Sequence, residues 1–234
     1  MSYRLEVIGH RGWAARYPDN TLPGFISAAP FCDGVEMDVR RSADGKLALS
    51  HDTHLRTLEV SSTPWSLLSE VDLGHGAKPC LLDEALAALP DTPALIEIKN
   101  TPGERGYEPD HRLALEAAAL SRPTDVIISF NWASVNEVRR IFPNTLTGLN
   151  VGVFGSIDEA IRQGGNAGHQ YLVLDVDLVF GSTTPIPDGF RTAVWSSRVG
   201  ETFEASIEEL VSMGVSGIIT DDPPSTRDLI GSIG

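Results

Sequence analysis

Four short motifs in this chain carry residues able to do polar chemistry: His10-Arg11-Gly12, Glu36-Met37-Asp38, His51-Asp52 and Glu97-Ile98-Lys99. On extended backbone, residues two apart point to one face, so Glu36 sides with Asp38 and Glu97 with Lys99. Carboxylates gathered away from water lose hydration and repel one another, and several in one place call for a cation. Glu36, Asp38 and Glu97 form an all-oxygen donor set, which suits Mg²⁺ or Ca²⁺ better than zinc, whose sites draw on His and Cys. Three side chains leave the remaining positions to water or substrate oxygens. Arg11 can offer a planar fork to a phosphate and Lys99 a point charge. His10 and His51 titrate near neutrality and can share general acid and general base roles. One divalent cation, two basic side chains and two histidines together describe cleavage of a phosphodiester. Each motif alone has a plainer reading: a hydrogen-bonded histidine, a solvated E-x-D edge, an E-x-K charge pair. Their conjunction at four strand ends points to chemistry.

Those residues need a frame. Apolar, β-rich runs recur at Leu5–Gly9, Gly34–Arg40, Lys46–Ser50, Ala94–Ile98, Val126–Phe130, Leu146–Val151, Tyr171–Val176, Thr192–Ser196 and Gly217–Thr220. Helical patterns fall between them at Thr21–Ala29, Leu82–Leu89, Asp110–Leu120, Ala133–Ile141, Ser156–Gln163 and Phe203–Met213, with a last one near Ser225–Ile230. Gly164-Gly165 and Gly214 are natural helix stops. Strands alternating with helices predict βαβ units and a parallel sheet. The segment between Val39 and Leu47 is too short for a parallel crossover, and its Asp44-Gly45 is a hairpin signal. With those two as the turn residues, Asp38 falls opposite His51 and Glu36 opposite Thr53. Taking Gly34–Arg40 as the antiparallel arm puts Glu36 and Asp38 on one rim with His51. Eight parallel strands and one antiparallel arm predict a distorted TIM (β/α)8 barrel whose strands 2 and 3 form a β-hairpin, with the motifs at its C-terminal mouth. An open doubly wound sheet is the rival, but no glycine-rich phosphate loop follows the first strand. Residues 1–234 read as a single domain, with a short polar insertion after His51-Asp52 at about 53–79.

Composition limits the partners. The formal charge is −14 and 41% of the residues are apolar, so the chain can bury a core but offers no basic surface to nucleic acid or anionic lipid. We expect no nucleic-acid partner and no stable membrane association. No run approaches the ~18 apolar residues of a membrane span, and the N-terminus lacks a secretory pattern. Cys32 and Cys80 form no C-x-x-C pair and read as reduced thiols. A cytoplasmic location is the expectation; a homo-oligomer is left open.

The same motifs resemble those of the glycerophosphodiester phosphodiesterase family. His10-Arg11-Gly12 followed by Pro18-Asp19-Asn20-Thr21-Leu22 is similar to the family's His-Arg-Gly…Pro-Glu-Asn-Thr-Leu. Gly34-Val35-Glu36-Met37-Asp38-Val39, Asp44-Gly45 and His51-Asp52 match its next block in order and spacing. Glu97-Ile98-Lys99, Ser129-Phe130 and Gly217-Ile218-Ile219-Thr220-Asp221-Asp222-Pro223 continue the match to the last strand.

The resemblance implies a TIM barrel that uses one divalent cation to hydrolyse a small-molecule glycerophosphodiester to glycerol 3-phosphate and an alcohol. It implies His10 and His51 as the acid/base pair, Glu36, Asp38 and Glu97 as metal ligands, and Arg11 and Lys99 on the phosphate. Trp195 stands where the family often presents an aromatic to substrate; a core tryptophan reads equally well. Asp19 replaces the family's Glu and is expected to support Asn20 or the site locally. The insertion, which the resemblance places over the mouth, departs from the family at His54-Leu55-Arg56-Thr57-Leu58, and with it the choice of alcohol. The rival functions are a lysophospholipase D-type lipid phosphodiesterase and a non-catalytic phosphoglycerol-binding barrel.

Overall fold

The computed structural model describes residues 5–196 and 207–233. Eight strands run parallel: β1 (Glu6–Gly9), β2 (Gly34–Arg41), β6 (Ala94–Ile98), β7 (Val126–Ser129), β8 (Leu146–Val151), β9 (Tyr171–Asp175), β10 (Arg191–Trp195) and β11 (Gly217–Thr220). β1 pairs with both β2 and β11, which closes the sheet into a (β/α)8 barrel. The helices between them are α1 (Leu22–Ala28), α2 (Trp65–Leu68), α3 (Leu82–Ala88), α4 (Arg112–Leu120), α5 (Trp132–Ile141), α6 (Ile157–Ala167), α7 (Val176–Phe180), α8 (Ile207–Ser212) and α9 (Pro223–Ile233). The first part of the helix expected over Phe203–Met213, residues 203–206, lies outside the described residues.

Strand periodicity explains the interior. Ile8, Leu95, Val126, Ile128, Tyr171, Val173, Ala193 and Ile219 point inward and fill the barrel floor. Their neighbours, among them Met37, Ile96, Ile127, Leu172 and Val194, point outward into the larger core under the helices. Both faces are buried, hence the near-continuous apolar runs. The inward position 148 is a glycine because a Cβ there would lie 2.6 Å from that of Tyr171. Above this floor the inward positions turn polar, and the alternation that buries Leu95 sends Glu97 and Lys99 into the mouth.

The antiparallel arm is not the one expected from sequence. Gly34–Arg41 is a parallel barrel strand, and its short return, β3 (Leu47–Leu49), is the antiparallel partner. The register pairs Val39 with Leu49, so Asp38 faces Ser50 (the Ser50 amide donates to the Asp38 carbonyl at 2.9 Å), not His51. The reason is the turn. Ser42 and Lys46 close a three-residue loop in which Gly45 takes a φ of 83°, one residue longer than a two-residue turn. His51 still reaches the rim of Glu36 and Asp38, because β2 overshoots the barrel and β3 brings the chain back.

The insertion is more ordered than its sequence suggests. β4 (His54–Leu55) and β5 (Leu58–Glu59) pair, and with α2 they enclose a small cluster around Ala48, Leu55, Val60 and Leu68. Elements this short carry no readable period. The helix expected over Ser156–Gln163 runs through Gly164-Gly165 and stops at Gly168, with a φ of 75°. Gly164 serves contact instead: a Cβ there would lie 3.0 Å from the ring of Phe190.

Candidate active site

The mouth gathers side chains from both ends of the chain. His10 follows β1, and its amide donates to the Thr220 carbonyl of β11 at 2.8 Å. Its Nδ1 lies 2.6 Å from Asp221 Oδ1. His51 mirrors this arrangement, with Nδ1 2.8 Å from Asp52 Oδ1. A carboxylate accepts, so each ring places its proton on Nδ1 and leaves Nε2 available. Arg40 fixes the second histidine by donating from Nε to the His51 carbonyl at 2.9 Å.

Between the histidines lie Glu36, Asp38 and Glu97, all buried. Each offers a carboxylate oxygen within 4.8 Å of the other two. Lys99 Nζ stands 2.9 Å from Asp38 Oδ1 and 2.5 Å from Glu97 Oε1. Arg11 Nε stands 3.1 Å from Asp38 Oδ2, and Nη1 donates to Asp19 Oδ2 at 2.7 Å. The Nε contact has the distance of an ion pair without the angle of a hydrogen bond. The Arg11 amide donates to Glu36 Oε2 at 3.1 Å. That turn depends on Gly12, whose φ is 91° and whose Cβ would meet the Gly24 backbone of α1 at 2.7 Å.

Charge is unevenly met here. Burial raises every carboxyl, but Lys99 and Arg11 hold Asp38 well below the usual range. For Glu36, burial and the neighbouring Asp38 outweigh the pull of His10 and Arg11 and push it up to about 8. Burial also raises Glu97 against the opposing pull of Lys99. With all three ionised, these carboxylates outnumber the two fixed cations by one. That excess, with an all-oxygen donor set, fits a hard divalent cation held by Glu36, Asp38 and Glu97. The histidines diverge. Burial lowers both, but Asp221 and Glu36 carry His10 above its ordinary value. For His51, burial and Lys99 prevail and keep it below.

All eight residues singled out from sequence come to this end of the barrel: His10, Arg11, Glu36, Asp38, His51, Glu97 and Lys99 form one cluster. Trp195 stands further round the rim, its ring edge-on to Phe130 at 5.8 Å between centroids. His51, Glu97, Lys99 and Phe130 line a cavity of about 940 Å³ that continues over Thr53, His54 and Arg56 of the insertion. Three supporting residues were missed from sequence. Asn20 binds Asp38 twice, Asp221 holds His10, and Arg40 holds the His51 backbone. Asn20 and Asp221 stand inside motifs quoted above, and the signal was their place at the loop and strand ends beside the site. Asp19 supports Arg11, in keeping with a local role.

Known proteins resemble this chain in sequence and in fold. A sequence model described as the glycerophosphoryl diester phosphodiesterase family matches residues 10–225. A glycerophosphodiester phosphodiesterase of Caldanaerobacter subterraneus subsp. tengcongensis is 27% identical over 96% of this chain and 97% of its own. The crystal structure of a glycerophosphodiester phosphodiesterase from Thermotoga maritima is 26% identical with a TM-score of 0.73, covering 98% of this chain and 100% of its own. An Oleispira antarctica phosphodiesterase, solved in complex with the product sn-glycerol-3-phosphate, shares the fold with a TM-score of 0.78 at 20% identity, covering 98% of each chain.

Proposed function

The chain belongs to the glycerophosphoryl diester phosphodiesterase family, and from that premise we propose that it hydrolyses glycerophosphodiesters to sn-glycerol 3-phosphate and an alcohol. The observation that carries this reading is the meeting of Glu36, Asp38 and Glu97 with His10 and His51 at one barrel mouth. The Oleispira relative's bound product supports the choice of glycerol 3-phosphate.

Glu36, Asp38 and Glu97 would hold one Mg²⁺ or Ca²⁺. When bound, such an ion polarises phosphate oxygens and offsets the charge that grows on them. Arg11 and Lys99, which already lie against these carboxylates, supply positive potential to the same phosphate. His51, kept neutral by burial and Lys99, takes the proton from the nucleophile. His10, whose proton affinity the Asp221 hydrogen bond raises, gives a proton to the departing alkoxide. Groups whose environments push their proton affinities apart divide the acid and base work in this way. Trp195 contributes a wall to the substrate pocket.

We further propose that residues 1–234 act as one domain on small, soluble diesters in the cytoplasm. The −14 charge and the two free cysteines support this. Among the described residues, no helix is long and apolar enough to cross a membrane. The direct test is release of glycerol 3-phosphate from glycerophosphoethanolamine and glycerophosphoglycerol with added Mg²⁺ or Ca²⁺. An absence of turnover on both, with either ion, would overturn the assignment.

A further inference from the structure

Across the mouth from the carboxylates, the rim carries polar atoms that the scheme above leaves unused. β9 lies four strands from β2 in either direction round the barrel, so it faces Glu36 and Asp38. Tyr171 and Val173 of β9 belong to the inward floor, and Asp175 is the next inward position above them. Asn150 on β8 is in register with Val173, and Trp195 on β10 is in register with Asp175. All three side chains therefore share the inner face.

Asp175 is 1% exposed and Asn150 2%. Asp175 Oδ1 caps α7 by accepting the Asp177 amide at 2.9 Å. Among the described residues its Oδ2 has no partner, nor do Asn150 Oδ1 and Trp195 Nε1. A buried polar atom left unmet forfeits the hydration it had in water, so three on one wall amount to a complementary demand. The demand is for two donors and one acceptor. An ammonium would serve the two oxygens and leave the indole N–H unmet. Adjacent hydroxyls, each able to donate and accept, satisfy all three.

We propose that Asn150, Asp175 and Trp195 form a hydroxyl-reading wall that binds a vicinal diol of the substrate, opposite the carboxylate cluster. This rests on the phosphodiesterase reading for the phosphate but not for the wall itself. Either the retained glycerol or a polyol leaving group can supply the diol, and the chemistry is the same. The wall makes the enzyme selective for hydroxyl-rich diesters.

The test uses Asp175→Asn, which keeps an oxygen to cap α7 but replaces the free acceptor by a donor, and Asn150→Leu as an independent second variant. Each is compared with the parent on glycerophosphoglycerol, with a diol on both halves, and on glycerophosphoethanolamine, with one on the retained half only. Unchanged melting establishes that the variants fold. We expect kcat/KM for glycerophosphoglycerol to fall roughly ten- to hundredfold. A larger fall there than on glycerophosphoethanolamine places the leaving polyol on the wall; equal falls place the retained glycerol there. Unchanged kinetics on both substrates, or a loss confined to the ethanolamine ester, would overturn the proposal. Calorimetric binding of glycerophosphoglycerol to His10→Ala, with and without Asp175→Asn, reads the wall without turnover. A parent enzyme that binds this diester but cleaves neither substrate would defeat the phosphodiesterase reading alone. Equal affinity of the single and double variants would defeat the wall alone.

Discussion

Asn20 clasps Asp38 from both ends: its Nδ2 donates to Asp38 Oδ2 at 2.9 Å, and its Oδ1 accepts the Asp38 amide at 3.0 Å. The clasp requires Asn20 to sit at a φ of 58°, a conformation that asparagine tolerates better than most residues. It fixes the carboxylate that also meets Arg11 and Lys99. Asn20→Ala removes both bonds and strains the backbone, so we expect about 1–3 kcal/mol of lost stability. Divalent-ion affinity should fall ~10–100-fold, the usual effect of losing a partner behind a ligand. Denaturant titration and ion-binding calorimetry measure the two, and unaltered ion affinity would remove Asn20 from the site's support.

His10→Ala and His51→Ala should each lower kcat by about 10²–10⁴, the range for a lost general acid or base. Single-turnover kinetics check this. Near-parental turnover by either variant would sink the two-histidine scheme.

Asp221→Asn should lower kcat and also move the pH profile. The Asp221 hydrogen bond is the leading influence that raises His10 against burial. Without it His10 loses its proton at lower pH, so an acid role predicts an alkaline limb displaced downward. A limb that stays in place would take the acid role away from His10.

Ion removal should couple to pH. Glu36 ionises at about 8 in the fold against an ordinary 4.5, so above 4.5 the folded state holds the extra proton. Stability of the chelated protein should therefore fall as pH rises from about 4.5 to 8. Added Mg²⁺ or Ca²⁺ should raise Tm more at pH 8 than at pH 5, and EDTA should abolish turnover. Equal Tm shifts at both pH values would contradict the carboxylate assignment.

Away from the mouth, His169 is buried between Thr147 Oγ1 at 2.7 Å and Asn136 Oδ1 at 2.8 Å. Burial and Arg139 lower it to about 4. The unfolded chain binds that proton first, so stability should be lost as pH drops from about 6.5 to 4. His169→Gln should flatten this part of the acid limb in urea melts, relative to the parent.

The strands and the eight polar residues were legible because inward and outward positions alternate, and the polar pairs keep that beat. Glu36 with Asp38, and Glu97 with Lys99, announce themselves as doublets. Asn150 and Asp175 obey the same rule singly, at strand ends otherwise apolar, and a single polar residue carries little signal. Asn20 meets its partner across 18 positions and His10 meets Asp221 across 211, relations only closure reveals. The hairpin register slipped because Asp44-Gly45 is shared by two- and three-residue loops. The insertion's elements are two to four residues long, below any period.

Barrel closure has a consequence for the order of synthesis. The first strand precedes every other, but its neighbour β11 and the carboxylate of Asp221 follow all the other strands. Until the final strand leaves the ribosome, β1 has an open edge and His10 lacks the group that holds its proton. A chain cut short before β11 would carry Glu36, Asp38 and Glu97 without Asp221, so the proposed division of labour between the histidines predicts that it is inert until the barrel closes.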